Sequence, residues 1–222
     1  MIKRMMKKKN VALAVAAIGL GLAVAGAANA TILLPGSGPL AVDVLAAAPG
    51  GTVLASAINP ISTPHISGTA RAAVVQTAPG AALDFYYQVT NAASSTDALG
   101  RVTASDFLPS VTTSVFQTAA AFGPFIAGNQ ASSGGDRGTL GVVGFSFEPG
   151  ATFTGKIDPG ETSDILIIRT NATAFQPGFM GVLDGVGTFA PAFQPMIPEP
   201  GTLALLASGL LAMGGVARRR SK

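Results

Sequence analysis

The sequence predicts an all-β protein, and two observations carry this prediction. Six Pro-Gly pairs divide the middle of the 222-residue chain, at 35–36, 49–50, 79–80, 149–150, 159–160 and 177–178. Proline presets the second position of a turn and glycine accepts positive φ at the third, so each pair favours a type II turn. The runs between the pairs are short, and many alternate apolar with polar residues, as strands do. We expect a single β-sandwich, immunoglobulin-like or jelly-roll-like, over residues 31–189.

Alternation identifies individual strands within this region. One face of a predicted strand carries the apolar side chains Leu83, Phe85, Tyr87 and Val89. The other face, expected to be polar, carries Asp84, Tyr86, Gln88 and Thr90. The same period places Val143, Phe145 and Phe147 together. Residues 165–168 are apolar at every position, which is typical of a central strand.

The remaining segments of the body are predicted from glycine, alanine and proline. Glycines at 185 and 187 indicate a bulge or a closely packed strand within residues 182–189. Residues 119–122 fit one helical turn, and residues 123–138 fit a long exposed loop. Residues 190–197 are proline-rich and predict a linker.

The N-terminal segment has the pattern of a secretory signal peptide. Five basic residues lie within residues 1–10, and an apolar run follows to residue 26. Ala28 and Ala30 then present small side chains at the spacing that signal peptidase requires. We therefore assign residues 1–30 to the signal peptide and Thr31 to the mature N-terminus. A retained N-terminal membrane helix is the alternative.

The C-terminal segment combines three elements in order. Pro198, Glu199 and Pro200 hold the backbone extended, because proline resists helix formation. Residues 201–217 contain no charge, and as a helix they would span about 25 Å, the short end of what crosses a bilayer. Clustered positive charge then predicts a stop on the cytoplasmic side, at Arg218, Arg219 and Arg220. A plain membrane anchor is the alternative, although it would not need the Pro-Glu-Pro.

Residues 198–222 closely resemble the PEP-CTERM sorting signal of Gram-negative bacteria. The resemblance implies recognition by exosortase, an integral-membrane enzyme similar to cysteine proteases, with removal of the tail near Pro-Glu-Pro. It also implies export and delivery to the cell surface or extracellular matrix, in association with exopolysaccharide and biofilm. The resemblance covers about residues 197–220 and transfers a sorting pathway, not an activity. Two body segments, 83–91 and 159–166, resemble stretches of other PEP-CTERM surface proteins and imply a shared strand framework.

Charge and composition exclude several classes of function. The chain has a formal net charge of +3, but nine of its fourteen basic residues lie in the two terminal segments. Residues 31–197 hold five basic and ten acidic residues, a net charge of −5, so we expect no nucleic-acid partner. The chain has no cysteine, which excludes disulfides and thiol catalysis.

Few residues could carry chemistry. His65 is the only histidine, and we interpret it as part of a loop rather than of a catalytic triad. Calcium could be bound by three carboxylates around a Pro-Gly turn, although a solvated turn is the simpler interpretation; these are Asp158, Glu161 and Asp164. A glycosidase pair could come from Asp84, Asp106 and Asp184. Tyr86, on the polar face, is the one aromatic candidate for polysaccharide contact.

The sequence therefore predicts an exported, non-enzymatic protein of the cell surface or extracellular matrix. Signal peptidase and exosortase would process it, and the membrane would hold its precursor through residues 201–217. No cofactor is expected, and exopolysaccharide is the candidate partner. The first alternative is a carbohydrate-binding module or adhesin, and the second is a calcium-dependent glycan hydrolase.

Overall fold

The computed structural model describes residues 30–148, 155–184 and 186–196, apart from the side chains of residues 184 and 186. These residues form strands, turns and irregular segments and contain no helix, which confirms the all-β class. The strands are β1 (Thr31–Ile32), β2 (Asp43–Val44), β3 (Thr52–Ser62), β4 (Ser67–Gln76), β5 (Leu83–Asn91), β6 (Arg101–Ala104), β7 (Thr113–Thr118), β8 (Gly134–Arg137), β9 (Val143–Ser146), β10 (Ile165–Thr170), β11 (Phe175–Asp184) and β12 (Val186–Pro195). The predicted helical turn at 119–122 does not form.

The strands form two sheets. The seven-stranded sheet, called the large sheet here, has the order β1-β7-β10-β5-β4-β3, and β2 pairs with β7 in parallel. The five-stranded small sheet has the order β12-β11-β6-β9-β8. All strand pairs except β2–β7 are antiparallel. Strand β10 lies between β7 and β5, so residues 165–168 form a central strand as predicted.

One apolar core joins the two sheets. The predicted apolar face of β5 contributes Leu83, Phe85, Tyr87 and Val89, and the small sheet contributes Val102, Val143, Phe145, Met180 and Val182. The alternation predicted for both β5 and residues 143–147 is thereby confirmed. The arrangement is a two-layer sandwich; its assignment to the immunoglobulin-like or jelly-roll-like kind stays a prediction.

The opposite face of β5 is buried as well, contrary to the expected polar, solvated surface. A second apolar cluster lies on this outer face of the large sheet and includes Tyr86, Phe116, Ile165 and Ile167. It is covered by side chains from two connecting segments, Leu45, Ala48 and Phe122 among them. Because these segments fold back over the sheet, Asp84, Tyr86 and Gln88 are all almost completely shielded from solvent.

Two glutamines hold the segment between β7 and β8, called the covering segment here, against the large sheet. The Gln88 side chain donates to the Ile126 carbonyl (2.7 Å) and accepts from the Ile126 N–H (3.1 Å). Gln117 pairs in the same way with the backbone of Ser132. Each carboxamide thus donates to and accepts from one backbone residue, as a residue of a paired strand would. The prediction of a long exposed loop over residues 123–138 was wrong, because Phe125, Gln130 and Ser132 are buried and residues 134–137 form β8.

Three of the predicted Pro-Gly turns are confirmed. Gly36, Gly80 and Gly160 have φ values of 81°, 76° and 95°. In each turn the residue after glycine donates its N–H to the residue before proline, at 2.9, 2.9 and 3.0 Å. Gly50 is not at positive φ, and the pair at 149–150 lies outside the described residues.

Pro177–Gly178 does not form a turn, because it lies within β11. Proline fits there because the β6 neighbour of β11 pairs only with Met180–Leu183 and does not extend to Pro177.

The end of the domain also differs from prediction. Residues 182–189 form the two ends of a hairpin, with Asp184 opposite Val186, rather than one bulged strand. The linker predicted at 190–197 was wrong, since β12 continues to Pro195 and pairs with β11 along its whole length. Ala190 and Ala192 are buried in the core, so small side chains here serve packing and not flexibility. The folded domain therefore reaches at least Pro195.

Candidate functional site

Most of the predicted targeting residues lie outside the described part of the chain. This applies to Ala28 of the cleavage motif, to residues 198–200, to the arginines 218–220 and to the predicted membrane segment 201–217. Across the described ranges, no helix has the length and apolar character needed to cross a bilayer. Ala30 is exposed, and Thr31 begins β1. The Thr31 N–H donates to the Asp43 carboxylate at 2.6 Å, so the predicted mature N-terminus is fixed to the domain.

The three calcium candidates do not form a metal site. Within residues 30–148, 155–184 and 186–196, no three His, Asp or Glu side chains are grouped to hold a metal ion. The Glu161 carboxylate accepts the Asp158 N–H at 2.9 Å and so closes its own turn. Asp164 is buried, and desolvation raises the pKa of its carboxyl. The three carboxylates are close in sequence because a turn, which holds Asp158 and Glu161, is followed directly by the buried residue that precedes β10.

The described glycosidase candidates, Asp84 and Asp106, lie in different surroundings. Asp84 forms an ion pair with Arg169 on the covered outer face of the large sheet, with Nη2–Oδ2 at 3.1 Å. Burial raises the pKa of Asp84, and the hydrogen bond and charge of Arg169 oppose this rise. The side chain of Asp184 lies outside the described set. Asp106 lines a cleft, described below.

The aromatic and histidine predictions have opposite outcomes. Tyr86 is fully buried and donates to the Pro49 carbonyl at 3.0 Å, so it cannot serve as an exposed sugar platform. His65 lies at the surface, where its Nδ1 is 3.8 Å from Asp97 and 3.4 Å from the Thr96 hydroxyl. The expectation that His65 belongs to a loop is confirmed, since it lies between β3 and β4.

The structure reveals a cleft at one end of the small sheet. Its volume is about 260 Å³, and the described residues that line it are Asp106, Leu108, Gln176, Gln194 and Pro195. Gln176 and Gln194 are directly opposite each other on β11 and β12, so both side chains leave the hairpin on the same face. Asp106 and Leu108 come from the segment that follows β6. The cleft thus combines one carboxylate, two carboxamides and two apolar side chains.

Gln194 is the most enclosed polar group in the cleft. It is 8% exposed, and its carboxamide makes no hydrogen bond with any other described residue. The side chain lies across Gly178, where a Cβ would collide with the carboxamide. The lack of a side chain at position 178 therefore makes room for Gln194 beside the cleft.

Asp106 has an unusual backbone conformation. Its φ is 62°, and it is the one described residue other than glycine at positive φ. Aspartate tolerates this left-handed region better than most residues, yet such conformations cost energy and are concentrated at functional sites. This backbone conformation distinguishes Asp106 from the other described acidic residues and makes it a candidate functional residue.

A buried arginine holds the segment that carries Asp106 and Leu108. Arg137 is 2% exposed, and its Nη2 donates to the carbonyls of Phe107, Leu108 and Val111, each at 2.7 Å. Its Nη1 donates to the Leu33 carbonyl and the Thr113 hydroxyl, both at 3.1 Å. Desolvation lowers the pKa of Arg137. The five bonds tie the residue after β1, the start of β7, the end of β8 and the cleft segment together.

Sequence reasoning found only part of this cleft. Asp106 was a glycosidase candidate, but Gln176 and Gln194 fell in a presumed turn region and a presumed linker. A readable signal was the alternation of small or apolar residues along 178–182 and 190–192, which continues to each glutamine. Recognising the hairpin would have paired the two glutamines.

Comparison with known proteins places the C-terminal segment. A profile of the PEP-CTERM protein-sorting motif matches residues 197–221. No curated protein and no solved structure matches the chain. The matched residues begin two positions after the end of β12, so the motif directly follows the sandwich. The chain carries the PEP-CTERM protein-sorting motif, which marks it as an exported protein that passes the membrane and is targeted to exosortase.

Proposed function

We propose that the protein is a non-enzymatic component of the cell surface or extracellular matrix, associated with exopolysaccharide or biofilm. The sorting motif at 197–221 is the observation that carries this proposal. Exosortase would remove the tail near Pro-Glu-Pro, and signal peptidase would remove residues 1–30. The exported product would then be the β-sandwich that begins at Thr31.

The domain lies close to the sorting motif in the chain. The last described residue, Met196, donates its N–H to the Ala174 carbonyl at 2.9 Å, so the chain is held to the sandwich up to that point. Two residues separate Pro195 from Pro198, which at full extension reach only about 10 Å. The sandwich would therefore stand close to the membrane until the tail is removed.

A carbohydrate-binding module is the second candidate, on new grounds. Its original support was an exposed Tyr86 and a long exposed loop, and neither exists in the structure. The cleft at Asp106 and Gln194 now favours it, because acidic and amide groups beside apolar side chains suit sugar hydroxyls. The calcium-dependent hydrolase has lost its proposed carboxylate cluster.

The test of the sorting proposal is the intact mass of the protein from hosts with and without exosortase. We expect loss of residues 1–30 in both hosts and loss of the tail only where exosortase is present. A variant with Glu199→Ala in the exosortase-positive host should retain its tail, whereas Glu161→Ala, in the body, should be processed normally. Full-length tail in the exosortase-positive host would contradict the proposal.

A further inference from the structure

We infer that the cleft lined by Asp106, Gln176 and Gln194 binds a neutral saccharide unit. This inference rests on the proposed function, because an exported protein meets polysaccharide outside the cell. It adds a site and a ligand class to the sorting pathway that the C-terminal motif defines. The site lies at the end of the β11–β12 hairpin, two residues before the matched sorting segment.

The polar groups of the cleft determine the class of ligand. A carboxylate accepts hydrogen bonds, and each carboxamide both donates and accepts. Vicinal sugar hydroxyls also donate and accept, so they can satisfy Asp106 and the two glutamines together. Leu108 and Pro195 supply apolar surface for the C–H groups of a sugar ring.

Charge excludes acidic ligands from this cleft. Asp106 brings an acidic side chain to the cleft, and none of the described residues that line it is cationic. The body itself has a net charge of −5. A uronic acid, sulfate or phosphate group would therefore be repelled, and a neutral sugar would not.

The volume of the cleft also fits a ligand of one or two sugar units. Sites for drug-sized ligands occupy about 300–1,000 Å³, somewhat more than the 260 Å³ found here. We therefore expect one or two sugar units of a longer chain to enter, with the remaining polymer outside.

The cleft is organised before any ligand arrives. Arg137 fixes the carbonyls of Phe107 and Leu108, the two residues that follow Asp106. On the other side, Gly141 approaches so closely that a Cβ there would lie 2.6 Å from the Phe107 carbonyl oxygen. The Phe107 N–H donates to the Gly141 carbonyl at 2.8 Å. A rigid segment loses little conformational entropy on binding, which favours affinity for a small ligand.

The test uses the processed protein secreted by the exosortase-bearing host. Its binding to neutral oligosaccharides of glucose, galactose, mannose and N-acetylglucosamine is measured by saturation-transfer NMR and calorimetry. The variants are Asp106→Asn and Gln194→Leu, which keep the size of the side chain, and asparagine tolerates the left-handed backbone. Asp97→Asn is the matched control, because Asp97 precedes β6 whereas Asp106 follows it. Circular dichroism establishes that each variant is folded.

We expect at least one neutral oligosaccharide to bind. Asp106→Asn should weaken it by about tenfold to a hundredfold, as for a lost hydrogen bond to a charged group. Gln194→Leu should weaken it by about tenfold, and Asp97→Asn should leave it unchanged. The inference is overturned if no neutral saccharide binds or if both cleft variants bind like the wild type. A processed protein without saccharide binding would remove this inference and leave the sorting proposal intact.

Discussion

The outer faces of the two sheets differ in how far they are covered. On the large sheet, the polar residues Asp84 and Gln88 are buried under connecting segments. On the small sheet, Phe179 and Phe189 of the hairpin are 58% and 73% exposed. Alternation correctly predicted which residues share a face. It did not predict which face is covered, because the covering segments come from distant parts of the chain.

The difference also shows how the large sheet uses its polar residues. Gln88 and Gln117 bond backbone groups of the covering segment, and Asp84 pairs with Arg169, whose guanidinium lies 5.0 Å from the centre of the Phe116 ring. Each buried polar group in this set therefore has a partner. The exposed aromatic residues of the small sheet need none, and Phe189 lies over Gly181, where a Cβ would be 3.3 Å from its ring. The two faces are stabilised by different means.

Aromatic truncation on each face should give the largest contrast. Tyr86→Ala removes a buried ring that contacts Phe122 and Phe125 at centroid distances of 5.6 and 5.9 Å. We expect it to lower the free energy of unfolding by about 3–5 kcal/mol. Phe189→Ser, on the exposed face, should change it by no more than about 0.5 kcal/mol. Urea unfolding of both variants measures the contrast, and equal losses would show that the two faces do not differ in cover.

Breaking one glutamine clamp should have an intermediate effect. Gln117→Leu leaves the N–H and carbonyl of Ser132 without their partner, at a cost of about 1–3 kcal/mol. Amide hydrogen exchange should lose protection at Ser132. Protection at Ile126, which Gln88 holds, is the internal control and should persist. Simultaneous loss at both sites would show that the covering segment opens as one unit.

The smallest expected effect concerns Asp164, which directly precedes β10 and bonds a residue of the covering segment. Its N–H donates to the Gln130 carbonyl at 2.8 Å, and burial raises its carboxyl pKa above the ordinary 3.8. The folded protein then binds more protons than the unfolded chain above pH 3.8, so this group makes stability fall as pH rises through its folded pKa. Asp164→Asn removes that penalty.

We therefore expect a higher melting temperature for Asp164→Asn than for the wild type at neutral pH. The gain should disappear at about pH 3, where the wild-type carboxyl is protonated in both states. The exposed Asp158→Asn is the control and should show no gain at either pH. A loss of stability at neutral pH would mean that the ionised Asp164 makes a stabilising contact.

Local sequence patterns were enough to predict the all-β class, the core face of β5, the central position of β10, three Pro-Gly turns and the sorting motif. These depend on local chemistry: a two-residue period, the φ preferences of proline and glycine, and a contiguous motif. Long-range packing was needed to establish that residues 190–195 form a strand, that Tyr86 is buried and that Arg137 holds the segment beside Asp106. Each of these depends on contacts between residues far apart in the chain. The cleft is the clearest case, because its three polar residues come from a segment after β6 and from two strands whose pairing no local pattern specified.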